Sequence, residues 1–350
     1  MKTNFLSTAI GSMPFSDADY AISVSLDCLD APIWPQLSAY GLLEQMEIQY
    51  SENIPCAVID KEKGRMFFQT DEDYSEAFGE FYEKYMAAAE DGNYDFMAIT
   101  EDYSKGLYAL FNKLEKDGKK LPWLKVQTTG PCSFALTIVD ENKRAIYYNE
   151  EFRDVVVKAI GMKCRWQIQK FKPFAENIIC FIDEPILSAF GSSTYVSVSR
   201  DDVVAILNEV IEEVHAEGGL AGIHCCGNTE WSILIDAGVD IVNFDAFGFG
   251  ETIAIYADSV KKHLEAGKYL AWGVVPTSTA IREQTVESLE KKLEEGIDNL
   301  ASKGIDKNLI ISQAIITPSC GTGSLAVEDA EKVFKLTKEL SKRMKEKYGV

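Results

Sequence analysis

The sequence predicts a (β/α)8 TIM barrel in one domain, residues 1–350, and three observations carry that prediction. Polar segments of helical period alternate with short apolar runs, and counting the runs gives eight, beginning near residues 5, 32, 123, 178, 219, 239, 269 and 309. Glycines stand where helices should end, at Gly218, Gly238, Gly267 and Gly304, the residue best suited to a left-handed cap. Most runs close in polar or thiol side chains, as strands do when their C-terminal ends converge on a site. Alternating strands and helices imply parallel pairing, and eight units imply a barrel rather than an open sheet.

Taken in order, the first run ends in Ile10-Gly11-Ser12-Met13-Pro14, and a helical pattern covers 16–29. Pro32-Ile33-Trp34-Pro35-Gln36-Leu37 reads as the second strand, with prolines at its ends. Residues 39–120 read as an inserted hairpin and helical segment, an insertion or cover. Ala57-Val58-Ile59-Asp60 and Arg65-Met66-Phe67-Phe68 flank a polar Lys61-Glu62-Lys63-Gly64 turn, and helices follow near 72–90 and 103–117. Strands are then expected from Trp123 to Thr129, from Ile178 to Asp183, from Gly219 to Cys226, from Val239 to Asp245, from Tyr269 to Pro276 and over 309–317. Helices fill 150–173, 201–217, 229–237, 251–265, 285–303 and 326–347, with Ser199 and Asp202 at capping-box spacing. No glycine-rich dinucleotide fingerprint or phosphate loop follows the first strand.

Composition narrows the function classes. A formal charge of −20 disfavours nucleic acid and anionic membranes as partners. No apolar run approaches the roughly 18 residues of a membrane span. Gly11, Ser12, Pro14 and Asp17 follow too soon for a signal-peptide core, so the expected location is cytoplasmic. Eight cysteines without a secretory signal point to free thiols or metal ligands rather than a disulfide framework.

The residues closing the strands are Ser12, Gln36, Gln127 with Thr129, Asp183 with Glu184, His224 with Cys226, Asp245, Thr277 and Cys320. His224 and Cys226 are two apart on a strand and share a face, while Cys225 points away into packing. With Cys320 they make a Cys2His zinc set, and Asp245 on the next strand is the best-placed carboxylate for a fourth position. Thiolates favour zinc over magnesium or calcium. A zinc with an exchangeable position suits the deprotonation of an incoming thiol, which then attacks an alkyl donor. Asp183 and Glu184 follow an apolar run and are costly to bury unpaired, which marks them as functional. Cys28, Cys56, Cys132, Cys164 and Cys180 read as buried or idle thiols. His215, in a glutamate-rich helix, and His263, after two lysines, read as surface residues.

These pieces resemble a known family. Ile10-Gly11-Ser12, Ile182-Asp183-Glu184-Pro185, His224-x-Cys226, the acidic end of Ile241-Val242-Asn243-Phe244-Asp245, and Pro318-Ser319-Cys320-Gly321 are similar, in order, to motifs of the catalytic C-terminal barrel of cobalamin-independent methionine synthase. The likeness is to its single-barrel core type, within the superfamily that includes uroporphyrinogen decarboxylase and methylcobamide:coenzyme M methyltransferases. The resemblance implies zinc held by His224, Cys226 and Cys320, with Asp245 in place of the family's glutamate ligand and loosening as the substrate thiol arrives. It implies that Ile10, Gly11 and Ser12 hold the amino-acid end of homocysteine and that Asp183 binds its ammonium. Glu184 and Gln127 belong to the same expected substrate-binding set, and Asp183 and Asp245 are the expected catalytic residues.

Two departures bear on the methyl donor. Leu187-Ser188-Ala189 replaces the family's folate-contacting glutamate, and Gly273-Val274-Val275-Pro276-Thr277 lacks its proton-donating histidine. An amine leaving group needs a proton, whereas a cob(I)alamin leaving group does not. The expected donor is therefore methylcobalamin, a methylcorrinoid carried by a separate corrinoid protein, and the product is methionine. Rival expectations are methyl transfer to coenzyme M or another small thiol, an alkyl donor such as an epoxide, and a non-catalytic zinc- or corrinoid-binding accessory protein.

Overall fold

Seven of the eight apolar runs pair side by side in the computed structural model, which describes residues 2–350. The strands in chain order are β1 (Leu6–Ser7), β2 (Ala57–Asp60), β3 (Arg65–Phe68), β4 (Leu121–Thr129), β5 (Ala175–Asp183), β6 (Leu220–Cys225), β7 (Ile241–Phe244), β8 (Tyr269–Val275) and β9 (Ala314–Pro318). The main sheet runs β1-β9-β8-β7-β6-β5-β4, and every neighbouring pair is parallel. Its strands are apolar runs rather than alternating ones because both faces are covered. All of β7 and β8 is buried. Ile179, Phe181, Ile241, Tyr269, Ala271 and Ile315 pack together on one face with Leu6, Ile10 and Ala31. Ile178, Cys180, Ile182 and Val242 pack into the larger cluster shared with the helices.

The curled sheet is consistent with a TIM-like barrel, but its ladder does not close as a ring of eight. The expected second strand is the exception. Residues 31–36 reach both edges of the sheet through isolated parallel bridges, Ile33 to Lys125 and Ser12 to Gln36. Lys125 N–H donates to the Pro32 carbonyl at 2.8 Å and Gln36 N–H to that of Gly11 at 2.9 Å. Pro32 and Pro35 have no N–H to give, so a continuous ladder cannot form there. The last strand is also shorter than expected. Residues Lys307–Ser312 form a helix, capped by the Asp306 side chain on Asn308 N–H, and the strand begins only at Ala314.

The insertion contains the expected hairpin, β2 antiparallel to β3 with Ala57 opposite Phe68, and helices Ser75–Asp91 and Lys105–Asp117. It is no detached cover. Tyr50 Oη donates to the Gln127 carbonyl at 2.8 Å, and Gln36 Nε2 donates to Gln49 Oε1 at 2.9 Å. The buried Lys163 ammonium donates to the Glu52 carbonyl at 2.7 Å. The insertion thus braces the gap that the two prolines leave.

His263 departs from the surface expectation. It is 2 % exposed, its Nε2 faces the Tyr269 carbonyl at 3.1 Å, and burial pushes its pKa down to about 4. Among the described residues no helix is long and apolar enough to cross a membrane.

Candidate active site

β6 and the residue after it carry the first candidate pair, His224 and Cys226. Its side chains alternate, so Cys225 enters the core, fully buried, while His224 and Cys226 face the other way. Cys320 lies two residues beyond the end of β9. β6 and β9 are separated by β7 and β8, which in a flat sheet would put them about 14 Å apart. The curl brings one nitrogen of His224 and the sulfurs of Cys226 and Cys320 within 4.8 Å of one another. Sulfurs bound to one tetrahedral zinc lie about 3.8 Å apart, so the donor set fits that ion in type and spacing. His224 Nε2 is buried and has no protein hydrogen-bond partner, as a ligand atom aimed at a metal would be. Contact with Cys320 is the largest cause holding the Cys226 thiol below its ordinary range, and the same contact raises Cys320.

Asp183, the last residue of β5, is the second buried group with an unmet acceptor. It is 4 % exposed and its Oδ1 has no partner. Burial raises its pKa, opposed by the charges of Lys125 and His224. Lys125 is fully buried; its ammonium donates to Gln127 Oε1 at 3.2 Å and sits 4.6 Å from the centre of the Phe181 ring. Burial lowers its pKa to about 8.

A cavity of about 390 Å³ joins these groups, with Ile10, Ser12, Gln36, Asp183, His224, Cys226 and Cys320 in its wall. The Ser12 hydroxyl accepts from Gly323 N–H at 3.3 Å, and Thr322 donates to the Ser12 carbonyl through its N–H at 2.8 Å and its hydroxyl at 3.0 Å. Gly321 allows this approach, since a Cβ there would lie 2.0 Å from Ser12 Oγ. Glu44, Gln45 and Met46 also line the cavity, although the sequence reading left them inside the insertion. They lie in and between the short helices Leu42–Glu44 and Met46–Gln49, too brief to show a period, and nothing local marks them. Glu44 accepts from Lys105 N–H at 2.7 Å and Leu37 N–H at 3.3 Å, and burial raises its pKa.

Other expected site residues stand outside the cavity wall. Glu184 is fully buried, and its carboxylate accepts from Cys132 N–H at 2.9 Å and from Ser133 N–H and Oγ–H at 2.7 Å each. It holds the N-terminus of a helix absent from the sequence reading, Pro131–Thr137. Burial pushes its pKa up to about 7 against those three donors. Gln127 is also fully buried; its amide donates to the Trp34 carbonyl at 2.9 Å. Gly11 packs on Gln36 and Gln127, where a Cβ would have no room. Asp245 caps the short helix Ala246–Phe249 by accepting from Gly248 N–H at 2.7 Å. It lies outside the three-residue group, yet near enough for the charges of His224 and Cys226 to act on it, while burial raises its pKa.

The fold and the site together define a class: an α/β protein with a curled parallel sheet and a Cys2His donor set where its strands end. Among solved structures, the chain is similar to a methyltransferase from Methanosarcina mazei, at 14% identity and TM-score 0.54, over 92% of this chain and 83% of that one. A B12-independent methionine synthase from Shewanella sp. W3-18-1, in complex with selenomethionine, aligns at 13% identity and TM-score 0.47 over 68% and 67%. An endo-1,4-beta-mannanase from Rhizomucor miehei aligns at 11% and 0.42 over 98% and 99%. No protein-family model and no curated protein matches the chain. The likeness to the Methanosarcina protein shows a shared fold; the other two are too distant in shape to carry an argument.

Proposed function

We propose that the chain is a zinc-dependent methyltransferase that moves a methyl group from a methylcorrinoid to the thiol of L-homocysteine, giving methionine. The observation that carries this reading is the meeting of His224, Cys226 and Cys320 in one cavity with the unpartnered Oδ1 of Asp183. A zinc ion bound there would supply the Lewis acidity that keeps a substrate thiol as thiolate at neutral pH. Asp183 Oδ1 receives the substrate ammonium, a charge-assisted bond that the buried setting strengthens. The Ser12 hydroxyl, already accepting from Gly323, keeps its own proton for the substrate carboxylate. The cavity wall holds the carboxylates of Asp183 and Glu44 and, among the described residues, no lysine or arginine. That composition favours an ammonium-bearing thiol over a sulfonate-bearing one such as coenzyme M.

In the transfer itself the sulfur lone pair forms the S–CH3 bond as the C–Co bond breaks, and the bonding electrons stay on cobalt. No proton goes to the leaving group, which agrees with the lack of a histidine in residues 273–277. Orientation of the thiolate against the methyl group would supply most of the acceleration. Asp245 is the candidate fourth ligand, and that role requires its carboxylate to share or release Gly248 N–H. The shared fold with a methyltransferase supports the reaction class. The methylcorrinoid is assigned to a separate carrier protein.

The test is direct. Purified protein is assayed for zinc, then incubated with methylcobalamin and homocysteine without folate, following the cobalt spectrum and methionine. The expected result is bound zinc, demethylation and methionine. Turnover with coenzyme M alone would move the acceptor assignment, and zinc without demethylation of any corrinoid would replace the enzyme reading with an accessory one. A Cys320→Ala variant with full zinc content and activity would refute the three-ligand site.

A further inference from the structure

We infer that Asn243 is a positioning residue that fixes the tautomer of His224, so that Nε2 is the nitrogen presented to the metal. Asn243 lies in β7 within an otherwise apolar run, fully buried, and in register with His224 on β6 and Ala271 on β8. Its Nδ2 is 3.0 Å from the Ala271 carbonyl and 2.8 Å from Thr317 Oγ1, and its Oδ1 is 2.6 Å from His224 Nδ1.

The orientation of the amide follows from what each neighbour can do. The Ala271 carbonyl can only accept, so the NH2 end must face it; the reversed amide would press two acceptors together at 3.0 Å. The Oδ1 end then faces His224, and an acceptor there demands a proton on Nδ1. Neutral imidazole carries one N–H, so Nε2 is left as the bare nitrogen. That same Nε2 is the buried atom with no protein partner. Outer hydrogen bonds of this kind orient ligating imidazoles. Here the support is a neutral amide, which directs the ring without adding a negative charge behind two thiolates. Its reach to Thr317 on β9 also ties β6 to the strand that leads to Cys320.

The zinc part of this inference rests on the proposed function; the tautomer does not, and the experiment separates them. The ring 15N spectrum of the metal-free protein is recorded at a pH where the imidazole is neutral, and zinc affinity is measured by chelator competition. The chain has three histidines, so His224 can be assigned by its absence in a His224→Gln variant. Wild type should show Nδ1 protonated and Nε2 bare. Asn243→Leu removes the acceptor and should mix the tautomers and weaken zinc binding about 10- to 100-fold. Asn243→Asp loses the same donor to Ala271 but keeps an acceptor on Nδ1, so it should retain the tautomer and recover most of the affinity even if its Tm falls. A protonated Nε2 in wild type overturns the inference, as does an Asn243→Leu variant with unchanged tautomer and affinity. If Asn243→Leu does not fold, the wild-type and Asn243→Asp spectra still decide. Absence of zinc binding in wild type with the expected tautomer would refute the metal reading alone.

Discussion

His263 should make the protein lose stability on mild acidification, and the size of the loss can be worked from its surroundings. The ring is 2 % exposed, faces the Tyr269 carbonyl through Nε2, and has no partner for Nδ1. Charging it in place would strand a second N–H in the core. Burial is the largest cause of its depressed pKa and nearby Lys268 adds to it, while Asp240 and the Tyr269 carbonyl oppose. The value falls from 6.5 to about 4. A histidine depressed on folding contributes stability that is fully present above its unfolded pKa and is lost as pH falls toward the folded one. Between pH 7.5 and 4.5 that loss integrates to about 2.5 kcal/mol.

A His263→Gln variant keeps a donor for Tyr269 but cannot titrate. Urea unfolding of wild type and variant across this range should show the wild-type advantage shrinking by about 2.5 kcal/mol as the pH drops. The pair of His215 with Asp240 at 2.7 Å is common to both proteins and cancels in the difference. A difference that stays flat with pH, or a His263 resonance that titrates near 6.5, would show that the ring is not held neutral by burial.

Three further outcomes are expected. Gly321→Ala places a methyl 2.0 Å from Ser12 Oγ and should break its bond with Gly323; homocysteine KM should rise about 10-fold or more with zinc retained, and an unchanged KM would remove Ser12 from the substrate site. Lys125→Met removes the cation that lowers the Asp183 pKa, so the acid limb of kcat/KM should move to higher pH; an unmoved limb would mean that Asp183 does not control binding. Gly130→Ala sets a Cβ 2.1 Å from Glu184 Cδ and should cost about 1–3 kcal/mol by overpacking, read as a fall in Tm; wild-type stability would show that the Glu184 contacts are not tight.

The sheet and the meeting of His224, Cys226 and Cys320 were legible because they leave non-local marks in composition. Strands buried on both faces read as apolar runs, and polar or thiol residues at their ends stand out against them. The failures have equally local causes. Pro32 and Pro35 bound an apolar stretch that looks like a strand but cannot supply ladder donors. Leu309-Ile310-Ile311 suits a buried helix as well as a strand, and Asp306 caps it as a helix. His263 follows two lysines, which hides the fact that its own face of the helix turns inward. Glu184 drew attention as a costly buried acid, and the cost is met by donors from a helix the pattern did not reveal. Asn243 could have been found: an amide between Val242 and Phe244 in a buried run needs partners, and it shares a face with Asp245.

The pairing of β1 with β9 sets an order of events during synthesis. Leu6 aligns with Ile315, and Thr3 Oγ1 donates to the Ala314 carbonyl 311 positions away. At ordinary rates of translation the first strand waits roughly 15–60 s for its neighbour to be made. Strands β4 to β8 can pair as they emerge, but β1, which meets residues 31–36 early through Ala31 N–H on the Ser7 carbonyl, has no ladder partner until β9 is made. Cys320 lies two residues after β9, so the last member of the His224, Cys226 and Cys320 group arrives with the last strand. A ribosome-bound chain therefore carries His224 and Cys226 without Cys320, which joins them only with the strand that also pairs with β1.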